Sequence, residues 1–305
     1  MRAALIRELG QPPEPAEIDD AGDASLQVIA APLNPIDRTV GSGRFYGGHP
    51  ELPYVPGCEC VARDGDRHVY LFGDGLGVQR NGAIAGRVVP RGATRIEVPP
   101  RADPAVAAAL GIPGLAAWIP VTRTACVQAG DRVLVLGATG TLGNVALQAA
   151  KLRGARVVAA GRDRERLART RELGAAATVE LDAGADLATR MKEACGGDGP
   201  TVVIDALWGP PLEAAVEAAA PGARIVNIGS SAGTDATLPT AAIRGKQLHI
   251  VGHSNFARSE QELRESYVEL VEAATAGKVR IDIQTFPLDR IAEAWSASTK
   301  AVVVL

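Results

Sequence analysis

The chain has 305 residues, of which 47% are hydrophobic and 22% are charged, and its formal net charge is -3 at pH 7. This composition is typical of a globular protein large enough for two domains, and it excludes a disordered chain. The small negative charge gives no basic surface for nucleic acid, and four cysteines in a chain of this length are not a disulfide framework. Because MRAALIRELG lacks a signal-peptide pattern and no apolar run reaches about 18 residues, we expect a cytoplasmic protein.

The N-terminal part of the chain, up to about residue 125, contains short apolar runs that Gly and Pro interrupt. These runs are AALIREL, SLQVIAAPL, CVARDG, RHVYLFG and AIAGRVV. Short runs bounded by turn residues predict a compact, irregular β-rich unit.

From about residue 125 onward, apolar runs alternate with amphipathic helical patterns. The predicted strands are residues 132–136, 156–160, 177–179, 201–205, 224–228 and 248–251. The helical segments between them are NVALQAAKLRG, DRERLARTRELG, DLATRMKEACGG and PLEAAVEAAAPG, which end in glycine, the usual helix stop. This alternation predicts an α/β fold with a parallel, doubly wound sheet. The tail adds one long helix, SEQELRESYVELVEAATAG, and a short strand, KAVVVL.

The first of these strands leads directly into the glycine-rich segment GATGTLG, residues 137–143, and a helical pattern follows. Gly140 and Gly143 hold the second and third positions of the dinucleotide-binding fingerprint, and Ala138 holds the first. Glycines allow a tight turn and let the backbone approach a pyrophosphate, which the N-terminus of the helix then binds. A purely structural turn would also use glycine, but the strand before it and the helix after it favour a cofactor site. The predicted cofactor-binding residues here are Ala138, Thr139, Gly140, Thr141, Leu142 and Gly143.

The end of the second strand indicates which nicotinamide cofactor binds. An NAD-specific site places an acidic side chain there, which accepts a hydrogen bond from the ribose 2′-hydroxyl. This chain has Gly161 followed by Arg162, which leaves room for a 2′-phosphate and offers a guanidinium to bind it. We assign Arg166, one helical turn further on, to the same site. NADPH is therefore the expected cofactor. Two alternatives stay open: the arginines only solvate a helix face, or Asp163 accepts from the ribose.

Four segments resemble the medium-chain dehydrogenase/reductase superfamily, and within it the zinc-independent, quinone oxidoreductase-like branch. They are AAPLNPID (residues 30–37), PGCE (56–59), GDRVLVLGATGTLGNVALQAAKLRGARVVA (130–159) and GARIVNIGSSAG (222–233). The resemblance covers nearly the whole chain. It implies a GroES-like catalytic domain, residues 1–121 completed by the tail 256–305, around a Rossmann cofactor-binding domain, residues 122–255.

The resemblance also implies roles for individual residues. Asn34 would be a hydrogen-bond donor near the nicotinamide and the substrate, and Asp37 would hold the same loop or take part in the chemistry. Tyr46 is the candidate donor or acid. The position that carries the catalytic tyrosine in the family is Phe45 here, one residue earlier. The alternative for Tyr46 is that it packs as an aromatic lid. Tyr54 is a weaker candidate for the same role. The residues implied beside the nicotinamide are Gly229, Ser230, Ser231 and Asn255.

The segment VPGCEC places Cys58 and Cys60 one residue apart, and such a pair can bind metal, carry out redox chemistry or form part of a strand. In zinc members of the superfamily, the resemblance places the ligand positions at Asn34, at Cys58 and near Ile112. One soft ligand cannot hold a catalytic zinc, which needs three protein ligands. A disulfide between residues so close in sequence would be strained. We therefore expect no metal, and we expect Cys58 to be a small apolar residue at the active-site cleft.

These observations favour an NADPH-dependent, zinc-independent reductase that transfers hydride to quinones or activated C=C bonds of small molecules. A protein that binds NADPH as a sensor or structural subunit, without turnover, remains the alternative. A short-chain dehydrogenase is excluded, because its glycine loop would lie at the N-terminus and none of the four tyrosines has Lys four residues on. The strand at 248–251 carries no charge apart from His249 and would form a sheet edge, which predicts a homodimer. We expect no nucleic-acid or membrane partner.

Overall fold

The computed structural model of the protein describes residues 1–181 and 186–305. Its strands are β1 (Arg2–Leu5), β2 (Glu14–Glu17), β3 (Leu26–Pro32), β4 (Glu59–Asp64), β5 (Arg67–Phe72), β6 (Arg87–Val88), β7 (Thr94–Glu97), β8 (Arg132–Leu136), β9 (Arg156–Gly161), β10 (Ala177–Glu180), β11 (Val202–Asp205), β12 (Arg224–Asn227), β13 (His249–Gly252), β14 (Ile283–Pro287) and β15 (Lys300–Val304). Its α-helices are α1 (Pro35–Gly41), α2 (Pro104–Ala109), α3 (Ile112–Ile119), α4 (Thr141–Leu152), α5 (Arg164–Arg169), α6 (Leu187–Cys195), α7 (Gly209–Ala218), α8 (Thr240–Lys246), α9 (Glu260–Thr275) and α10 (Ile291–Ser296).

The described residues form two compact units. The first, called the β-rich unit, comprises Met1–Pro113, Ser259–Ala276 and Asp282–Leu305. The second, called the parallel-sheet unit, comprises Gly114–Arg258 and Gly277–Ile281. The domain limits expected from the sequence, 1–121 with 256–305 and 122–255, remain predictions beside this division.

The parallel-sheet unit contains six parallel strands in the order β10-β9-β8-β11-β12-β13. The strand order changes direction between β8 and β11, since β9 and β10 follow β8 on one side and β11, β12 and β13 lie on the other. Ligands of open α/β sheets bind outside the carboxyl ends of the strands, at such a switch point. The glycine-rich segment after β8 therefore lies at the position where this fold binds a ligand.

Burial of both faces at the centre of this sheet explains why its central strands β8, β9 and β11 are continuous apolar runs. Leu134, Val158 and Val203 belong to a core cluster that also holds Met191 of α6 and Leu212 of α7. Alternate strand residues such as Val133, Val157 and Val202 are equally buried, and α4 packs on β8 and β9. A parallel sheet covered on both faces needs apolar side chains at every strand position. The predicted parallel, doubly wound sheet is confirmed, and the ends of its six strands differ from the predicted ends by at most one residue.

The β-rich unit is built on a mainly antiparallel sheet with the strand order β14-β15-β3-β4-β5-β7, in which β6 also pairs with β3. A separate antiparallel pair joins β1 and β2. The five apolar runs of the N-terminal part correspond to β1, β3, β4, β5 and β6, whereas β2, β7 and β14 were not predicted, because they are short and polar or exposed. The C-terminal strand β15 pairs with β3, so the two ends of the sequence meet in one sheet.

The predicted helical segments are present as α4, α5, α6, α7 and, in the tail, α9. Among the described residues, no helix is long and apolar enough to cross a membrane.

Candidate cofactor and active site

The segment from Gly137 to Gly143 forms a tight turn between β8 and α4. The N–H groups of Gly137 and Ala138 donate to the carbonyl of Ala160 at the end of β9, at 3.0 and 2.9 Å, and Asn144 Nδ2 donates to the Ala138 carbonyl at 2.6 Å. A Cβ atom on Gly143 would lie 2.3 Å from the Gly137 carbonyl oxygen, so only glycine fits there. The N–H groups in the first turn of α4 have no partner within the helix. The segment can therefore hold a pyrophosphate against the start of α4.

The other residues predicted to bind the cofactor lie at the same edge of the sheet. Gly229, Ser230 and Ser231 follow β12, and Asn255 follows β13. A Cβ atom on Gly229 would lie 2.9 Å from the carbonyl oxygen of Ala206, which follows β11. Because the strands are parallel, the structure brings these segments to the carboxyl edge that also carries the glycine loop.

Two residues that sequence reasoning missed hold this edge in shape. The buried carboxylate of Asp205, the last residue of β11, accepts from the N–H groups of Leu207 and Trp208 at 2.8 and 3.0 Å. Asn227 Nδ2 donates to Asp205 Oδ2 and to the Gly229 carbonyl, both at 2.8 Å. Burial raises the pKa of Asp205, and the hydrogen bonds from Leu207, Asn227 and Trp208 oppose that shift. A polar residue at the end of each of two neighbouring apolar strands was the available sequence signal.

The residues that were predicted to contact the 2′-phosphate or 2′-hydroxyl of the ribose lie at the end of β9. A Cβ atom on Gly161 would lie 2.7 Å from Thr139 Cγ2, so a larger residue at this position would require the Thr139 side chain to move. Arg162 is exposed, and within the described part of the chain its guanidinium has no hydrogen-bond or ion-pair partner. Asp163 caps α5 by accepting from the N–H of Arg166 at 3.0 Å, and its other oxygen lies 3.6 Å from Arg166 Nε.

A second polar cluster lies in the β-rich unit, at the start of α1. The Asp37 carboxylate accepts from the N–H of Asn34 at 2.7 Å and from the N–H of Cys58 at 2.9 Å. All three residues are at most 2% exposed. Burial raises the pKa of Asp37. The Asp37 carboxylate thus links the Asn34 loop to the segment before β4 by hydrogen bonds to both backbones.

Glu59 and Lys300 complete this cluster, and sequence reasoning did not assign a role to either. Glu59 is fully buried, and its carboxylate accepts from Asn34 Nδ2 at 2.7 Å, from the Tyr70 hydroxyl at 2.7 Å and from the N–H of Ile112 at 2.5 Å. Lys300 Nζ donates to Asn34 Oδ1 at 2.6 Å and to the Leu33 carbonyl at 3.2 Å.

The charges of Glu59 and Lys300 are perturbed by their burial. Burial raises the pKa of Glu59, which the Lys300 charge and the hydrogen bonds from Tyr70, Asn34 and Ile112 oppose. Burial lowers the pKa of Lys300 to about 8, although Glu59 and Asp37 act in the opposite direction. In each case the sequence signal was an ionisable residue at the first position of a strand, with apolar residues directly after it: Glu59 in ECVARD and Lys300 in KAVVV.

The two tyrosines considered as donors lie in contrasting environments. Tyr46 is 97% exposed, and its ring contacts that of Phe45, with 4.5 Å between the ring centroids. Tyr54 is 1% exposed, and its hydroxyl is buried with no hydrogen-bond partner in the described residues. A buried hydroxyl that lacks a partner is costly and rare. Burial, followed by the nearby charge of Asp37, raises the pKa of Tyr54, so its O–H remains protonated.

The residues at the predicted zinc-ligand positions do not fit a zinc ion. Burial, followed by the charge of Asp37, raises the pKa of the Cys58 thiol well above its usual value, which opposes the thiolate that a metal requires. Asn34 Oδ1 already accepts from the ammonium of Lys300, and the N–H of Ile112 is bound to Glu59. Among the residues that the structure describes, no three or more His, Cys, Asp or Glu side chains are grouped to hold a metal.

Comparison with known proteins agrees with this arrangement. Residues 141–273 match the family model described as zinc-binding dehydrogenase. A quinone oxidoreductase-like protein 2 homolog from Nematostella vectensis is 28% identical, over 96% of this chain and 84% of that protein. The chain belongs to the medium-chain dehydrogenase/reductase superfamily and is quinone oxidoreductase-like.

Solved structures of the superfamily share the whole fold. The quinone oxidoreductase from Thermus thermophilus, studied alone and in complex with NADPH, is 28% identical with a TM-score of 0.81, and the match covers 100% of both chains. A structure described as an NAD-dependent alcohol dehydrogenase is also 28% identical, with a TM-score of 0.85 and the same coverage. The predicted combination of a Rossmann sheet and a GroES-like β-rich unit is therefore confirmed. These findings support an oxidoreductase that uses a nicotinamide cofactor.

Proposed function

We propose that this protein is an NADPH-dependent reductase of quinones or of activated C=C bonds such as those of enones, and that it acts without a metal. The observation that carries the cofactor preference is the end of β9. Gly161 carries no acidic side chain, Asp163 is engaged as the cap of α5, and Arg162 projects a guanidinium that is unpaired in the described residues. This arrangement suits a 2′-phosphate better than a free 2′-hydroxyl.

The bound cofactor would supply hydride to the electron-poor carbon of the substrate. The protein must then bind the substrate carbonyl, stabilise the enolate-like negative charge and admit a proton. Without a metal, hydrogen-bond donors have to meet that charge. By resemblance, Asn34 is one such donor, and Asp37 supports it by fixing the backbone of its loop. Gly229, Ser230, Ser231 and Asn255 would line the nicotinamide site at the carboxyl edge of the sheet.

The chemistry is tested by NADPH oxidation with a panel of quinones and enones. We expect steady-state turnover with at least one acceptor class and a higher kcat/KM with NADPH than with NADH. NADPH binding without turnover on any acceptor would instead favour the sensor or structural alternative. A protein that binds neither cofactor would contradict both proposals.

The substrate donor is tested by two matched substitutions, Tyr46→Phe and Tyr54→Phe, because each removes one hydroxyl and little else. Loss of a donor to the developing oxyanion typically lowers turnover by about 10²–10³. We propose Tyr46 as this donor on the basis of its position beyond the Asn34 loop. If Tyr54→Phe alone lowers kcat, the unpartnered buried hydroxyl has that role, and Tyr46 belongs to the surface.

We further propose a homodimer formed along β13. This strand lies at the edge of the parallel sheet, and Val251 on it is 45% exposed. An exposed apolar edge offers unpaired backbone groups to a second copy.

A further inference from the structure

We propose that Lys300 is a positioning residue for the reductase reaction: together with Glu59, its ammonium holds the Asn34 carboxamide in a single orientation. The inference rests on the proposed function in one respect, because Asn34 is taken there as a donor. Lys300 begins the C-terminal strand β15 and lies 266 residues from Asn34 in sequence. Within the part of the chain that the structure describes, its ammonium donates to Asn34 and to the Leu33 carbonyl and to no other group.

The orientation follows from what each partner is able to do. An ammonium group only donates, so the atom of Asn34 that lies 2.6 Å from Lys300 Nζ has to be the carboxamide oxygen. With the carboxamide oxygen at Lys300, the atom 2.7 Å from Glu59 Oε1 is the carboxamide nitrogen, which donates to that carboxyl oxygen. The two contacts agree on one orientation, and a flip about the terminal torsion would break both. One N–H of Asn34 is bound to Glu59, which fixes the direction of the second.

The surrounding residues hold this arrangement rigidly. Glu59 has two further donors, the Tyr70 hydroxyl and the N–H of Ile112, and the Tyr70 ring stacks on Tyr267 with 4.5 Å between centroids. Asn34 and Glu59 are at most 1% exposed, and Lys300 is 9% exposed. Buried polar groups satisfied in this way specify one arrangement, whereas a partly satisfied network does not. Keeping a lysine charged at such a site is costly, which argues for a role beyond stability.

The consequence for catalysis concerns polarity. In the observed orientation the free N–H is a donor, which can stabilise a developing negative charge on a substrate oxygen. In the flipped orientation the same region would present a carbonyl oxygen, which repels that charge. Removing the unambiguous donor at position 300 should therefore lower kcat more than it changes substrate KM or NADPH affinity.

The test compares Lys300→Gln with Lys300→Arg. A glutamine amide can present either its N–H or its oxygen to Asn34, so it does not select one orientation, whereas arginine only donates. We expect Lys300→Gln to lower kcat about tenfold or more, the scale of a misplaced catalytic group. Lys300→Arg should retain most of the turnover. The matched control is Lys246→Gln in the parallel-sheet unit, which removes an ammonium bound to the carbonyls of Val216 and Glu217.

A double-mutant cycle with Asn34→Ala shows whether Lys300 acts through Asn34. If it does, adding Lys300→Gln to Asn34→Ala leaves kcat unchanged. The proposal would be overturned if Lys300→Gln lowered kcat by the same factor in the wild type and in Asn34→Ala, or if Lys300→Gln kept full activity. If Lys300→Gln does not fold, Glu59→Gln replaces the carboxylate that accepts from Asn34 Nδ2. Its effect on kcat should then also be absent in the Asn34→Ala background.

A readout independent of activity separates this inference from the proposed function. The same four proteins, unfolded in urea, should show non-additive changes in unfolding free energy, because Lys300 and Asn34 are in direct contact. Additive changes would overturn the contact itself. Absence of turnover in the wild type with every acceptor would overturn the proposed reductase, while the urea cycle would still decide whether Lys300 orients Asn34.

Discussion

Replacing Arg162 by alanine should weaken the binding of NADPH and leave the binding of NADH nearly unchanged. Arg162 follows β9 directly, and the backbone of the glycine loop is hydrogen-bonded to the end of the same strand. Its guanidinium is exposed and unpaired in the described residues, so the substitution removes no internal contact seen there. The two cofactors differ only in the 2′-phosphate. The loss in binding free energy for NADPH minus the loss for NADH therefore isolates the contact of Arg162 with that group.

The expected magnitude follows from the position of this side chain. A hydrogen bond to a charged group contributes about 1.5–3 kcal/mol. Because Arg162 is exposed, solvent and salt weaken the interaction, and we expect the lower part of that range, about 1.5–2 kcal/mol. This corresponds to a loss of roughly 10–30-fold in the affinity for NADPH. The loss should shrink at high salt, since exposed charges are screened.

The assay is titration of each cofactor, followed by fluorescence or calorimetry at two salt concentrations. The matched control is Arg169→Ala, which removes the same charge from the last turn of α5, where Arg169 pairs with Glu165. Equal losses for NADPH and NADH would refute the reasoning, because Arg162 would then not contact the 2′-phosphate. An equal loss of NADPH affinity in the Arg169 variant would show that only the general positive field matters.

Four further outcomes are expected. Gly143→Ala should weaken the binding of NADPH and of NADH alike and destabilise the protein by about 1–3 kcal/mol, because the new Cβ would lie 2.3 Å from the Gly137 carbonyl oxygen. Urea unfolding measures this loss of stability, and the control is Gly245→Ala, whose Cβ meets nothing within 4 Å. Asp131→Asn should lower the free energy of unfolding by about 1–3 kcal/mol at pH 7. Burial raises the pKa of Asp131, but its hydrogen bonds and the charge of Arg224 lower that pKa overall. The ionised carboxylate therefore stabilises the fold above the unfolded pKa of about 4, and this stabilisation is lost as the pH falls through the folded pKa. The difference from wild type should therefore narrow in unfolding measurements below about pH 4. Exhaustive dialysis against EDTA should leave activity intact, and one tightly bound zinc per chain in elemental analysis would contradict this. Val251→Arg should convert a dimer to a monomer in light scattering, and a wild-type protein that is already monomeric at micromolar concentration would count against the β13 interface.

The sequence by itself determined the parallel-sheet unit in detail. Its central strands β8, β9 and β11 are buried on both faces, so they are continuous apolar runs that stand out from the amphipathic helices between them. The glycine loop could be predicted equally well, because the backbone atoms that leave no room for a side chain at Gly143 belong to Gly137 and Ala138, only a few residues away. Such local causes leave local patterns, and the predicted strands, the loop and its helix agree with the structure to within a residue at the strand ends.

The tertiary structure alone decided how the polar residues of the β-rich unit are grouped. Pairing of β15 with β3 sets Val302 opposite Pro32, which brings Lys300 to Asn34 across nearly the whole chain. The alternation of strand residues cannot specify which distant strand is the neighbour, so neither this contact nor the bond from Asn34 to Glu59 has a sequence signature. The exposure of Tyr46 and the burial of Tyr54 were undetermined for the same reason, since burial depends on what packs around a loop and not on the loop's own residues.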